Sequence, residues 1–300
     1  MSGLPVVLAV DLGGTAMKGA VVAEDGATVA ESTLATPADG ILTALVALLA
    51  DLRRTAADDG HDVVGAGVAT PGMLDEKRGL VHYASNLGWR DVPLLDILRS
   101  ELSLPVAVGH DVRAAGLAER STGAARGFGD FALVPIGTGV AAALVSSGGA
   151  VTGATGAAGE FGHIPVIPGG EPCTCGQRGC LEVYMSGAGV ARRYRAAGGE
   201  ALSTRRIVER LGSDPLADHV WSEALDVLAQ GLNILTLLFD PGLIVLGGGV
   251  SHAGPALFGP LGDRMSAGLA WRERPPVAQS ALGGDAGRTG AALLAFEAAR

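Results

Sequence analysis

Short apolar runs alternate along this chain with longer stretches of helical periodicity. Residues 5–10 form an apolar run that stops at Asp11-Leu12-Gly13-Gly14-Thr15, and 19–23 and 28–34 read as the strands that return from it. Between 38 and 59, Ile41, Leu42, Leu45, Leu48, Leu49 and Leu52 recur on one side of a helix. A strand at 63–69 ends in Thr70-Pro71-Gly72, and a long loop containing Ser85-Asn86-Leu87-Gly88-Trp89 follows. Helix 92–102 and strand 105–108 lead to Gly109-His110-Asp111, which opens a helix over 112–125. The opening plan then recurs: a strand at 130–136, a Gly137-Thr138-Gly139 tip and a return at 140–146. Further helices are expected over 183–197, 204–211, 216–239, 255–269 and 289–299, with a buried strand at 243–246 running into Gly247-Gly248-Gly249. Alternating strands and helices predict an α/β fold, and the repeated strand–tip–strand layout predicts a duplicated one with a nucleotide between its halves.

Length and composition narrow the class. Three hundred residues exceed most single cores. We expect a small α/β domain over 1–118, closed by the last helix at 287–300, and a larger α/β domain over 119–286. The net charge of −9 argues against nucleic acid as a non-specific partner. The N-terminus lacks a basic segment followed by an apolar core, and no uninterrupted apolar run reaches the eighteen or so residues that a membrane span needs. The expectation is a cytoplasmic protein with no membrane partner.

The stretch from 159 to 182, GEFGHIPVIPGGEPCTCGQRGCLE, holds all three cysteines. His163, Cys173, Cys175 and Cys180 follow the spacing H-x9-C-x-C-x4-C, and three thiolates with one imidazole complete a tetrahedral set for zinc with no position left for water. This is the pattern of a structural metal in a reducing compartment. The competing reading, small buried thiols, does not explain why they crowd into eight residues. Glu160 lies three residues before His163, so one helical turn puts both on one side. The imidazole nitrogen not on the metal can hold a carboxylate or a ligand hydroxyl. With Glu182 after the last cysteine, the loop offers Glu, His and Glu to a polyhydroxylated ligand; alternatively both glutamates are solvated loop charges.

Other candidates are phosphate-binding. At Asp11, Gly13, Gly14 and Thr15 the glycines let backbone N–H groups turn towards an anion. Lys18 adds a cation, and Asp11 can hold Mg²⁺ through water. The same residues also suit an ordinary Gly-Gly hairpin. Gly137, Thr138 and Gly139 form a second such tip, and Gly247, Gly248 and Gly249 let backbone approach a flat or phosphorylated ligand closely. Asn86, in the long loop, can donate to and accept from hydroxyls or cap the next turn. Asp111 stands where α/β proteins place catalytic groups, or is simply an N-cap.

Together these residues resemble the ROK family, the kinase and repressor group within the actin-like ATPase (ribonuclease H-like) fold, whose two domains have an active-site cleft between them. The resemblance runs from Asp11 to the final helix. The family's zinc signature corresponds to 160–182, its phosphate loops to 11–15 and 137–139, and its adenosine site to 247–249. It implies Asp111 as catalytic base, with Asn86, Glu160, His163 and Glu182 on the sugar and His163 also on zinc; Gly72 and His110 are counted with the sugar-facing set. It implies an ATP-dependent, Mg²⁺-assisted kinase for the 6-hydroxyl of a hexose, with structural Zn²⁺, assembled as a homodimer or homotetramer.

Two departures bear on the sugar. Glucokinases of the family usually carry Asn-Asp where this chain has His110-Asp111, and Arg113 replaces a small residue or asparagine. An imidazole offers one donor and one acceptor and can titrate, so N-acetylglucosamine stands beside glucose as a candidate, with a sugar-like cyclitol further off. If the helix covered 110, His110 and Arg113 would share a face. The rival readings are a polyphosphate-using kinase and a non-catalytic sugar sensor or repressor. Repressors of the family carry an N-terminal DNA-binding domain; with a phosphate loop beginning at residue 11, the expectation is a chain without one.

Overall fold

A computed structural model describes residues 3–300. It packs as two compact units, and each is described by itself. The first comprises the described residues up to Ser121, with Ala150–Ala158 and Gly284–Arg300; the second comprises Thr122–Gly149 and Gly159–Gly283.

In the first unit β1 (Pro5–Leu12), β2 (Ala16–Ala23) and β3 (Thr28–Ala35) form an antiparallel meander. Helix α1 (Ile41–Asp58) leads to β4 (Asp62–Thr70). Three short strands follow, β5 (Met73–Asp75), β6 (Leu80–Ala84) and β7 (Trp89–Pro93), then α2 (Leu94–Leu102), β8 (Val106–His110) and α3 (Asp111–Ser121). The main sheet has the order β3-β2-β1-β4-β8, with β1, β4 and β8 parallel. Strand β1 is apolar from Pro5 to Val10 because both its faces are covered there. Val6, Leu8 and Val10 pack with Leu45, Leu48, Leu49 and Leu52 of α1, while Val7 and Ala9 pack with Ala291, Ala292 and Ala295 of the C-terminal helix Ala286–Ala299. That helix lies close to the sheet because Gly67 has no side chain: a Cβ there would sit 2.0 Å from the Ala291 carbonyl oxygen.

The expected long loop after residue 72 is instead a small antiparallel sheet of order β5-β6-β7. It buries Leu74, Val81, Ala84 and Trp89. Strands of three to five residues are too short to show a period, and they turn at Gly79 and Gly88, both with positive φ. Trp89 is a core residue.

The second unit repeats the plan. Its sheet runs β11-β10-β9-β12-β13, from β9 (Phe131–Pro135), β10 (Ala143–Ser146), β11 (Gly149–Ala150), β12 (Ile244–Gly247) and β13 (Val277–Gln279). As in the first unit, the central strand pairs antiparallel with its hairpin partner and parallel with the strand on its other side. The expected helix over 183–197 is two: α4 (Leu181–Met185) and α5 (Gly187–Ala196). Ser186 breaks them with extended backbone, and its hydroxyl caps α5 by accepting from Gly189 N–H at 3.0 Å. Helix α6 (Thr204–Val208), the long α7 (Pro215–Phe239) and α8 (Pro255–Ala267) complete the unit. By length and composition α7 could cross a bilayer. Here Trp221, Leu225, Leu228 and Leu232 place its apolar side in the core of the unit.

Candidate functional site

Parallel β1, β4 and β8 bring their carboxyl ends to one edge of the first sheet, where open α/β sheets present ligand-binding groups. Asp11 stands beside Ala69 of β4, and Thr70 beside His110 of β8. At the β1–β2 tip the Gly13 N–H closes the turn onto the Ala16 carbonyl at 2.9 Å. The tip's remaining backbone donors are therefore at Gly14 and Thr15, both exposed. Asn86 lies over this tip: a Cβ on Gly14 would be 3.1 Å from the Asn86 Cβ. Gly72 has φ +109°, and a Cβ there would meet the Tyr83 carbonyl at 2.4 Å.

Two carboxylates share this edge. Burial pushes Asp11 from its ordinary 3.8 up to about 6, the negative charge of Asp111 adds to the rise, and Lys18 and Arg288 oppose it. Lys18 stands opposite Asp11 in the hairpin, with its ammonium on the Gly284 carbonyl at 2.9 Å. The first turn of the C-terminal helix abuts the Asp11 carboxylate so closely that a Cβ on Gly287 would lie 2.6 Å from Oδ2. Asp111 is also raised, by burial first, against hydrogen bonding from Val112 N–H and the charge of Arg113. Its Oδ1 accepts the Val112 N–H at 2.7 Å and lies 3.1 Å from His110 Nδ1.

His110 is the last residue of β8, and the helix starts at Asp111. His110 and Arg113 are therefore not related as two positions on one helix face. They meet through Glu76, whose Oε1 accepts the His110 backbone N–H at 3.0 Å and Arg113 Nε at 2.8 Å.

In the second unit the carboxyl ends of β9 and β12 present the other two glycine tips side by side, with Gly247 in register with Pro135. The Gly137 N–H is engaged by the Gly139 carbonyl at 2.9 Å, and the Gly137 carbonyl accepts Gly187 N–H at 2.7 Å. The break at Ser186 thus lets α5 begin against this tip. A cavity of about 990 Å³ opens here, lined by Gly137, Thr138, Gly187, Thr204, Trp221 and Gly249 among others. Its size and its mixture of backbone, hydroxyl and aromatic groups suit a nucleotide.

The cysteine loop folds as a ligand set. The ligating atoms of His163, Cys173, Cys175 and Cys180 all lie within 4.8 Å of one another. Tetrahedral zinc with bonds of about 2.3 Å to sulfur has sulfur–sulfur edges of about 3.8 Å. Cys175 Sγ and Cys180 Sγ are 3.7 Å apart, and Cys173 Sγ is 3.7 Å from His163 Nδ1. Burial, then the neighbouring sulfurs, push the Cys180 thiol up to about 12. Three thiolates so close need a dication between them, and the residues fit zinc. Glu160 begins a 3-10 turn, Phe161–His163, and its Oε2 lies 3.9 Å from His163 Nε2.

With this geometry established, comparison with known proteins decides the family. The ROK family model matches residues 7–298. The chain belongs to the ROK family. Glucokinase from Halalkalibacterium halodurans is 34% identical, over 95% of this chain and 93% of that protein. A ROK family glucokinase from Streptomyces griseus, solved with glucose and AMPPNP, superposes with a TM-score of 0.83 at 34% identity, covering 97% of this chain and 99% of that one. A ROK family transcriptional regulator, a homolog of the E. coli MLC protein, superposes with a TM-score of 0.89 at 25% identity, covering 98% of this chain and 78% of that one. The fold is the actin-like ATPase fold expected from the sequence.

Within this ROK chain the first unit gathers Asp11, Gly13, Gly14, Thr15, Asn86, His110 and Asp111 near one sheet edge. The second gathers the Gly137–Gly139 and Gly247–Gly249 tips. Glu182 joins the first of these tips: its Oε2 accepts the Val140 N–H at 2.8 Å. Three groups escaped the sequence reading. Thr204 and Trp221 of the cavity carried no motif, and Trp221 fell in an apolar helical stripe that reads as core. Glu76 lay in the segment taken for loop.

Proposed function

We propose that this chain is an ATP-dependent sugar kinase that phosphorylates the 6-hydroxyl of a hexose, glucose or N-acetylglucosamine. The observation that carries the reading is Asp111, a carboxylate at the carboxyl edge of a parallel sheet. Its Oδ1 accepts the Val112 N–H, and burial raises it towards useful basicity. Asp111 accepts the hydroxyl proton. The sugar oxygen then bonds to the γ-phosphorus, and the bond to ADP breaks. Backbone N–H groups at Gly14, Thr15, Thr138 and Gly139 hold phosphate oxygens, since phosphoryl transfer is mostly positioning and charge stabilisation. The cavity beside Gly137 and Gly249 takes the adenosine. Mg²⁺, when bound, neutralises phosphate charge, and Asp11 would hold it through water. Asn86, Gly72, His110, Glu160, His163 and Glu182 orient the sugar, and zinc on His163, Cys173, Cys175 and Cys180 fixes the loop that carries Glu160 and His163.

Release of ADP from Mg-ATP tests the reading, with glucose, N-acetylglucosamine, N-acetylmannosamine, mannose and fructose compared and polyphosphate tried as an alternative donor. One hexose standing well above the others, with turnover abolished in Asp111→Asn while sugar binding persists, is the expected result. Turnover near the normal rate in Asp111→Asn overturns the base assignment. Sugar binding without turnover, in folded zinc-loaded protein, favours a sensor, as the likeness to the regulator allows.

A further inference from the structure

Two residues from the candidate base stands a buried charge, Arg113, whose side chain is only 3% exposed. It lies on the first turn of α3. Its guanidinium links three separate segments. Nε donates to Glu76 in the β5–β6 turn at 2.8 Å, and Nη1 donates to the Gly156 carbonyl at 3.1 Å. The Glu76 oxygen that receives Nε also receives the His110 backbone N–H at 3.0 Å. Gly156 in turn packs on β5, where a Cβ would lie 2.4 Å from the Leu74 carbonyl. Nη2 is buried without a hydrogen-bond partner among the described residues. Burying a charge with one donor unsatisfied is costly, and a helix position seeking only stability would be filled with an apolar residue.

We propose that Arg113 is a positioning residue for Asp111: by clamping Glu76 and Gly156 it fixes the His110 backbone, and with it the direction of the neighbouring carboxylate. The inference rests on the reading of Asp111 as base. The clamp acts at the junction itself, because the backbone N–H it holds belongs to the residue before Asp111. Geometry of this kind matters to rate, since misplacement by about 1 Å can cost about 10²-fold. The guanidinium also acts through space. The titratable and charged groups around Asp111 are His110 on β8, Asp11 on β1 with Lys18 and Arg288 behind it, Glu76 on the β5–β6 turn, and Arg113. Of these, Arg113 is the one that draws the Asp111 carboxylate back towards ionisation.

The test uses the full chain carrying ¹³C-labelled aspartate, with Asp111→Asn assigning the Asp111 carboxyl resonance. In R113M the Asp111 titration is expected to move up by about one pH unit, since an opposite charge nearby is worth one unit or more. The kcat with Mg-ATP and hexose should fall by about 10²-fold, with KM for the sugar changed less. R113K keeps the charge but cannot bridge Glu76 and Gly156 together, so its titration stays and its kcat falls. E76A removes the oxygen that joins Arg113 Nε to the His110 N–H, so its kcat should fall with KM changed less, and this variant decides the matter if R113M fails to fold. A folded R113M whose titration and kcat match the parent, with only Tm lowered, overturns the proposal, as does a folded E76A whose kcat matches the parent. If Asp111→Asn retains activity, the base assignment itself has failed; if it is inactive and R113M is normal, only the clamp has failed.

Discussion

Glu182 Oε2 accepts the Val140 N–H at 2.8 Å, joining the residue two places after the last cysteine to the tip that follows β9. A Cβ on Gly139 would lie 2.7 Å from the same oxygen. The carboxylate thus shapes the tip's backbone directly. Glu182→Ala removes a charged acceptor, an interaction worth about 1.5–3 kcal/mol. The expected result is AMPPNP affinity lowered by about tenfold or more, read by calorimetry, with weaker sugar binding besides if Glu182 also contacts the sugar.

The cysteine loop is expected to bind one zinc per chain, measurable by elemental analysis. Its four ligand atoms are near tetrahedral spacing, and the chain from Cys180 to Glu182 carries any loosening to the Gly137–Gly139 tip. Cys175→Ser should lower Tm on the order of 5–10 °C, since each kcal/mol corresponds to about 2–4 °C in a domain of this size. It should also weaken both sugar and nucleotide binding. A metal-free parent protein with normal binding would remove zinc from the account.

Asp11 gives a pH signature. Its folded-state value of about 6 lies above the ordinary 3.8, so the folded chain holds a proton in this window that the unfolded chain has released. Stability from this group is therefore full below about pH 4 and declines as pH rises towards 6. Asp111, raised in the same direction, adds to the slope. The difference in Tm between parent and Asp11→Asn should turn against the parent as pH rises from 4 to 6. Mg²⁺, which needs the ionised carboxylate, should bind more weakly below pH 6 and release a proton on binding there.

Gly67 tests the packing behind the site. A methyl group there would sit 2.0 Å from the Ala291 carbonyl, which belongs to helix backbone and cannot rotate away. Gly67→Ala should cost about 1–3 kcal/mol, the usual range for overpacking. It should also disturb the contact of Gly287 with Asp11, seen as altered Mg²⁺ dependence of activity. Denaturant melts and a Mg²⁺ titration check both.

Much of the fold was legible because its signals are local. The apolar run before Asp11, the helical spacing of Leu45, Leu48, Leu49 and Leu52, and the cysteine spacing each lie within one short window. The β5–β6–β7 sheet was not legible, because strands of three to five residues carry too few positions to display alternation. The break between α4 and α5 was missed for a related reason. Ser186 is compatible with a helix, and its extended backbone is fixed by the contact of Gly187 with Gly137, fifty residues earlier.

The sequence by itself determined which chemistry the chain carries: three thiols and an imidazole in ligand spacing, three glycine tips after apolar strands, and a carboxylate at a strand-to-helix junction. Covalent order keeps such groups together, so no folding is needed to see them. Only the tertiary structure decided how they are held. Glu76 reaches His110 and Arg113 across more than thirty residues, Glu182 binds Val140 across forty-two, and Asp11 feels the charge of Asp111 across a hundred. Hydrogen bonds and Coulomb interactions depend on distance in space, and parallel β-strand pairing brings together groups that the chain keeps far apart.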